Sequence, residues 1–336
     1  MKTIRMAIIG CGGFVRWHVR QIVPGVPELR IVALADSARG HAESLKKEYL
    51  PGKRVAIYTD HRRMLKEVRP EAVIVSTPHT LHFRHCMDAL AAGAHVMVDK
   101  PMVTSSFDAR KLVARAKRAG RILQIAIQGI YTDTFAYARK LIADGTVGEL
   151  QLITGVLAQG WLEATRGKWR QDPALSGGGQ LYDSSAHVLS AMMFLVGSPV
   201  TEAFCWADNK GAAVDINAVG AIRFANGCMG SITSGGNCDT WYSHLVVQGA
   251  KAVIEISPHG GNFRVHGRGR RRAIRSVPKD WAVPSVTPVR NFADVILGKA
   301  EPRCPASLGV VLADLMDALY ASVRSGRSVK VAAKRA

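Results

Sequence analysis

Two ionisable side chains, Asp183 and His187, stand four residues apart in the stretch GGGQLYDSSAH, Gly177 to His187. Val188, Leu189, Met192, Met193 and Val196 follow at helical apolar spacing. The pair is therefore expected at i and i+4 on one face of a helix. An imidazole beside a carboxylate can move protons at neutral pH, although the same spacing also describes an ordinary Asp–His surface pair. A position near the helix N-terminus favours an ionised aspartate and a neutral imidazole, the form a base needs. Three glycines in a row cost conformational entropy. The reading that accounts for them is access, because a chain without side chains lets ligands come close. A hinge is the alternative.

A second pattern could hold phosphates. IRMAIIG is a short apolar run, followed by GCGGFVRWHVRQIV with helical spacing at Phe14, Val15, Val19, Ile22 and Val23. Strand, glycine turn and helix are the setting of a dinucleotide fingerprint. Gly10 permits the tight turn and Gly12 lets the backbone approach a pyrophosphate. The helix that opens around Gly13, Phe14 and Val15 offers its N-terminal amides to the anion. Val15 stands where the third glycine is usual, so helix and strand must pack with a wider approach. The next apolar run, LRIVALAD, ends in Asp36, 24 residues after Gly12. An acid there accepts hydrogen bonds from the adenine ribose diol and repels a 2′-phosphate, which favours NAD. Ser37 and Arg39 keep NADP open, since either could meet that phosphate.

These residues need elements to position them. Helical segments at 40–49, 60–68, 82–93 and 106–119 alternate with strand-like runs at RVAIYT, EAVIVSTP, AHVMVDKP and RILQIAIQ. That alternation predicts a doubly wound parallel α/β sheet. Ligands of such sheets sit at the strand carboxyl ends. Thr77 and Pro78, then Asp99, Lys100 and Pro101, thus share a rim with the glycine loop. A lysine on that rim could hold a reacting oxygen and stabilise a developing alkoxide; by itself it also reads as a solvated lysine. Past Gly145 the strands lengthen and helices thin out, which predicts a mostly antiparallel sheet carrying the Asp183–His187 helix. ANG (225–227) marks a hairpin turn. Helices at 288–297 and 305–325 finish the chain. The expected domains are 1–125 and 126–336, with the 305–325 helix a candidate to pack back on the first.

Composition bounds the function. At 336 residues, 48% hydrophobic and 21% charged, the chain is long enough for two domains with real cores. It carries 45 basic and 26 acidic residues, a net charge of +19. The basic residues are scattered, and the one dense cluster, GRGRRRAIR (267–275), has no interleaved aromatics. It reads as a solvated strand or hairpin edge, which argues against a nucleic-acid partner. The excess leaves a hint of acidic substrates such as uronates or sugar phosphates. Six cysteines show no C-x-x-C pair and no zinc spacing, so no metal is expected and reduced thiols in a cytoplasm are the simpler reading. The N-terminal apolar run is too short for a signal peptide, and LSAMMFLV (189–196) cannot span a membrane. Disorder is expected only at the final AAKRA.

GCGGFVRWH, STPHTLH, AAGAHVMVDKP and GGGQLYDSSAH together resemble the marks of the Gfo/Idh/MocA oxidoreductases. The resemblance runs over nearly the whole chain, to a late YASVRSGRSVKV. It implies a Rossmann domain followed by a C-terminal α+β domain on a large open sheet, which commonly forms a homo-oligomer interface as a dimer or tetramer. It implies NAD(P)-dependent oxidation or reduction of a secondary alcohol or carbonyl on a sugar or cyclitol. Asp99-Lys100-Pro101 stands where the family usually has Glu-Lys-Pro. By the resemblance, Lys100 polarises the reacting oxygen and His187 is the general acid/base. Asp183 orients the imidazole or binds a substrate hydroxyl. Asp99 becomes a cofactor contact; His82 is a cofactor contact or equally a capping or packing residue, and Gln128 could reach nicotinamide or substrate; Tyr131, Trp169 and Arg170 are candidate walls of the substrate pocket. Ser190 stands where an acid is frequent, and Ile130 near a frequent arginine. Two other functions fit the same fold. One is transient oxidation on tightly held NAD that enables elimination or glycoside cleavage. The other is a ligand-sensing regulator, which would have no need of Lys100 and His187.

Overall fold

The computed structural model describes residues 2–259, 262–267 and 274–331. The basic run at 268–273 and the final AAKRA lie outside the described residues. Val265 and Ile274, which flank the basic run, pair antiparallel. The chain divides into two compact units, Met1–Ala126 with Thr287–Ala306, and Ile127–Val286 with Ser307–Ala336.

The first unit holds β1 (Ile4–Ile9), α1 (Val15–Gly25), β2 (Leu29–Ala35), α2 (Arg39–Tyr49), β3 (Ala56–Tyr58), α3 (His61–Val68), β4 (Ala72–Val75), α4 (His82–Ala91), β5 (His95–Asp99), α5 (Ser106–Ala119) and β6 (Leu123–Ala126). The six strands pair in parallel in the order β3-β2-β1-β4-β5-β6. Every residue of β4 is buried, as expected for a parallel strand covered on both faces. Helix ends follow local chemistry. The Ser105 hydroxyl accepts the Asp108 N–H at the start of α5, and Gly120 closes it in the left-handed region. The strand order reverses between β1 and β4, which puts the crevice of a doubly wound sheet beside the glycine loop.

The second unit holds α6 (Asp133–Ala143), β7 (Leu150–Ala158), two single-turn helices α7 (Trp161–Ala164) and α8 (Pro173–Ser176), α9 (Ser185–Val196), β8 (Val200–Asp208), β9 (Asn217–Phe224), β10 (Met229–Gly235), β11 (Tyr242–Gly249), β12 (Ala252–Ile256) and β13 (Phe263–Gly267). After α10 (Pro288–Ile296) come α11 (Ala306–Ser325) and β14 (Val329–Lys330). The sheet runs β13-β12-β11-β7-β10-β9-β8-β14, with β7 and β10 parallel and the other pairs antiparallel. Alternate burial along β9 leaves one face covered and one exposed. α9 is apolar almost all round and buried, as such a helix must be. Gly155 lets it close on β7, since a Cβ there would lie 2.3 Å from Val188 Cγ1. α11 is long and apolar enough to cross a membrane by length and composition. Leu312, Leu315, Met316 and Leu319 bury it in this unit's core instead.

The domain reading changes in one respect. The first unit ends at Ala126 and regains residues 287–306. The returning helix is α10, not the 305–325 helix: Val289, Phe292 and Ala293 join the core of β1 and α1. Gln124 Nε2 donates to Pro288 O at 3.1 Å, and Arg290 pairs with Glu28 at 2.7 Å. Apolar spacing predicts a helix at 288–297, but not which of two cores it enters.

Candidate active site

The dinucleotide loop is built as its residue types require. Gly10 has φ +91°, and a Cβ on it would strike Ser76 O at 2.5 Å. Cβ atoms on Gly12 and Gly13 would meet nothing within 4 Å, so the space over the start of α1 is open to a pyrophosphate. Asp36 shapes this loop directly: Cys11 N–H donates to its Oδ2 at 2.7 Å and Ala38 N–H to its Oδ1 at 2.9 Å. Ser37 is exposed beside it. Arg39 is paired with Glu43 at 2.7 Å. Phe14 precedes α1 and packs against Trp17 and His18. Val15, in the third-glycine position, is fully buried in the core. Burial and the charge of Asp36 push the Cys11 thiol up to about 12, so it stays neutral. This site fits NAD.

The β4 and β5 ends are tied to that loop. Asp99 is buried, 2.7 Å from His18 Nε2, and Ser76 Oγ donates to its other oxygen. Burial raises the pKa of Asp99, but the charge of and hydrogen bond from His18, with Ser76, outweigh it and hold the carboxyl below its ordinary value. Asp99 thus anchors the rim for Lys100, which is half-buried and joined to Pro101 by a cis bond. His82 takes up the packing position that its sequence also allows. It is fully buried, with Nδ1 2.8 Å from Pro101 O and Nε2 2.8 Å from Thr77 O. Burial holds it below the ordinary histidine pKa. The ring lies between the two rim loops, and in its neutral form donates its one N–H to one of the two carbonyls. Thr77 Oγ1 lies 3.0 Å from His85 Nδ1, and Pro78 opens the short turn His79–Leu81.

In the second unit, α9 begins at Ser185. His187 is in its first turn, but Asp183 precedes the helix, in a turn where its N–H donates to Gly179 O at 2.9 Å. The expected i, i+4 helical stack is corrected accordingly: the residues from Gln180 to Ser184 wind as turns, not as part of α9. Both side chains are buried, at 5% and 8% exposure. Trp161 Nε1 and Arg170 Nε both donate to Asp183 Oδ2, at 2.8 and 2.9 Å. The Arg170 guanidinium in turn lies over the Trp169 ring, 4.4 Å from its centre. Trp169, Arg170 and Asp183 are therefore brought together, as a substrate wall would need. Trp169 also lines a cavity of about 590 Å³ with Arg166, Lys168 and Lys210. Gln128 starts the short helix Gln128–Tyr131 and is half-buried. Tyr131, at the end of that short helix, is 1% exposed. Ser190 is fully buried, and its hydroxyl has no hydrogen-bond partner among the described residues.

The glycines have a different purpose from access. A Cβ on Gly179 would lie 1.9 Å from Asp215 O, and one on Gly178 2.3 Å from the Tyr320 hydroxyl. Gly177 has φ +75°. Asp215 accepts the N–H groups of Gly179 and Leu181, each at 2.8 Å, and the Tyr320 hydroxyl at 2.6 Å. Burial and the charge of Asp215 push the Tyr320 phenol well up, so it remains a donor. The turn that carries Asp183 is thus pinned from beneath by one carboxylate.

Residues 4–127 match the oxidoreductase family with an NAD-binding Rossmann fold, and residues 135–255 match the GFO/IDH/MocA C-terminal domain. The chain belongs to the Gfo/Idh/MocA oxidoreductase family. D-glucoside 3-dehydrogenase of Escherichia coli is 28% identical over 206 residues, 60% of this chain and 56% of that protein. 2,7-Anhydro-N-acetylneuraminate hydratase of Mediterraneibacter gnavus is 29% identical over 80% of this chain and 71% of its own. The first of these matches therefore spans little more than half of its relative's length. Scyllo-inositol dehydrogenase of Lactobacillus casei, solved with NAD(H) and scyllo-inositol, shares the fold at TM-score 0.81 and 19% identity, covering 99% of this chain and 100% of that one.

Several residues of this Gfo/Idh/MocA chain that shape the site escape sequence reading. His18, Ser76 and Trp161 each touch a candidate residue from a distant segment, and Asp215 holds the turn that leads to Asp183. No spacing rule reports such contacts. The one available signal was His18, inside the quoted GCGGFVRWH.

Proposed function

We propose that the protein is an NAD-dependent dehydrogenase or reductase acting on a secondary alcohol or carbonyl of a sugar, sugar derivative or cyclitol. The observation that carries this reading is the rim at the end of β5. There, a buried carboxylate held by His18 and Ser76 fixes the segment bearing Lys100, in the unit that carries the glycine loop. When bound, NAD accepts or returns the hydride. Lys100 would hold the reacting oxygen by a charge-assisted hydrogen bond and stabilise the negative charge that grows on it. His187 would take the hydroxyl proton in oxidation and return it in reduction. Asp183, set by Trp161 and Arg170, would bind a neighbouring hydroxyl or orient the imidazole. Asp36, and the pairing of Arg39 with Glu43, support NAD over NADP.

The exposed sheet face supports self-association. Trp206 and Val219 are cross-strand partners, 67% and 49% exposed, so homo-oligomerisation through this sheet is part of the reading. The reading includes a cytoplasmic setting, in which the six free thiols stay reduced. The likeness to a hydratase favours one second reading, a transient oxidation within a net non-redox reaction. One experiment separates the two. Purified protein is mixed with NAD and a panel of glucosides and inositols while reduced-nicotinamide absorbance is followed. Net reduction of NAD supports the dehydrogenase. Substrate consumption with no net reduction supports the second reading, and neither on any panel member counts against both.

A further inference from the structure

A base as buried as His187, at 8% exposure, needs a way to lose the proton it takes. The structure places a second histidine beside it. His259, on the turn after β12, has its ring centre 4.9 Å from that of His187. At that spacing a single water can bridge the two imidazoles. Trp241 meets His259 edge-on at 5.0 Å and is itself 56% exposed, while His259 is half-buried. His187, His259 and Trp241 thus form a row from the buried helix towards the surface of the second unit. Ser243 Oγ lies 3.2 Å from His259 Nδ1 and Ser257 Oγ 3.4 Å from its backbone N–H, which fixes the ring and its turn.

We propose that His259 relays protons between His187 and solvent. The inference rests on the acid–base role proposed for His187. In oxidation, the substrate O–H bond breaks and its proton passes to His187, while the hydride leaves to NAD. The His187 imidazolium then gives a proton, through a bridging water, to the neutral imidazole of His259, which restores the base. His259 releases a proton to water or buffer. Reduction runs the same steps backwards, with no further oxidant or reductant. An imidazole suits the task because its ordinary pKa lets it both take and release a proton near neutrality. Ser243, Ser257 and Trp241 do not titrate there; they hold the ring. Asp183, four residues before His187 in sequence, and its partner Arg170 are the charged groups on the segment leading into α9.

The test uses His259→Ala and His259→Gln, the amide keeping a group that can bond Ser243. Turnover is measured with NAD and scyllo-inositol or methyl β-D-glucoside in dilute phosphate, then with added imidazole. Both variants are expected to lose at least about tenfold in turnover in dilute buffer, with KM nearly unchanged. Imidazole restores the rate saturably in the variants and leaves the wild type unaffected, a response that a merely structural role would not give. Wild-type turnover in both variants, or a loss that imidazole does not repair, overturns the relay. A second measurement needs no substrate. In protein carrying labelled histidine, the ring resonances of His187 are followed through a pH titration. His259→Gln is expected to shift the His187 midpoint, and an unchanged midpoint overturns the proposal. If the wild type turns over neither compound, the substrate reading fails and the titration still decides on the relay.

Discussion

Asp215→Asn should unfasten the turn that carries Asp183. The native carboxylate accepts three donors: Gly179 N–H and the Tyr320 hydroxyl on Oδ1, Leu181 N–H on Oδ2. An amide has one acceptor oxygen. If that oxygen keeps Gly179 and Tyr320, the NH2 group faces the Leu181 N–H, and a buried donor loses its partner at about 1–3 kcal/mol. The surviving bonds fall from charged to neutral strength, at about 1 kcal/mol each. The sum is about 3–5 kcal/mol, a large share of a whole protein's stability of about 5–15 kcal/mol. Urea unfolding followed by circular dichroism should show the midpoint fall by the order of 1 M. Tyr320→Phe removes one donor and leaves both N–H groups satisfied, so its cost should stay near 1–2 kcal/mol, roughly half the larger effect. An Asp215→Asn protein within about 1 kcal/mol of wild type would refute the anchoring.

Three further predictions test other parts of the structure. Cys238 is the one exposed cysteine, whereas burial pushes the Cys11 and Cys205 thiols up to about 12, so a thiol reagent should titrate one group quickly in native protein and six after denaturation. The His85 ring is lowered by burial from 6.5 to about 4. Its contribution is complete above 6.5 and is lost as pH falls towards 4, because the unfolded chain takes the proton first. With the ring partly exposed, the loss should be of order 1–2 kcal/mol. His85→Gln should flatten the stability profile over that window, and an unchanged slope would count against the shift. Asp36 should make kcat/KM for NAD exceed that for NADP by at least about tenfold, and Asp36→Ser should narrow the ratio. Equal use of both cofactors by the wild type would contradict the assignment of Asp36 to the ribose diol.

Much of the frame can be read from sequence because it depends on local pattern. α5 spans Ser106–Ala119 as its apolar spacing and flanking Ser105 and Gly120 require, and the ANG turn joins β9 to β10. The glycine loop and Asp36 are legible for the same reason, since strand, turn and helix are contiguous. Contacts between distant segments are not legible. Nothing in GGGQLYDSSAH shows that Gly179 lies against Asp215, 36 positions on, so the glycines read as an opening when they are a close-packed seam. The apolar spacing from Val188 to Val196 marks α9 but not its start, and the backbone winds in turns from Gln180 to Ser184 before the helix begins. His82 reads equally as a cofactor contact or a packing residue from its place after a strand, and only the fold shows it lying between Thr77 O and Pro101 O.

The central claim is that Lys100 and His187 carry the chemistry while the glycine loop holds the cofactor. The most direct measurement compares turnover and NAD affinity for Lys100→Met and His187→Gln, the affinity taken by calorimetry. Turnover should fall at least about a hundredfold in each variant while NAD affinity stays within about threefold of wild type. Wild-type turnover in either variant, or a loss of activity that only follows a loss of NAD binding, would contradict it.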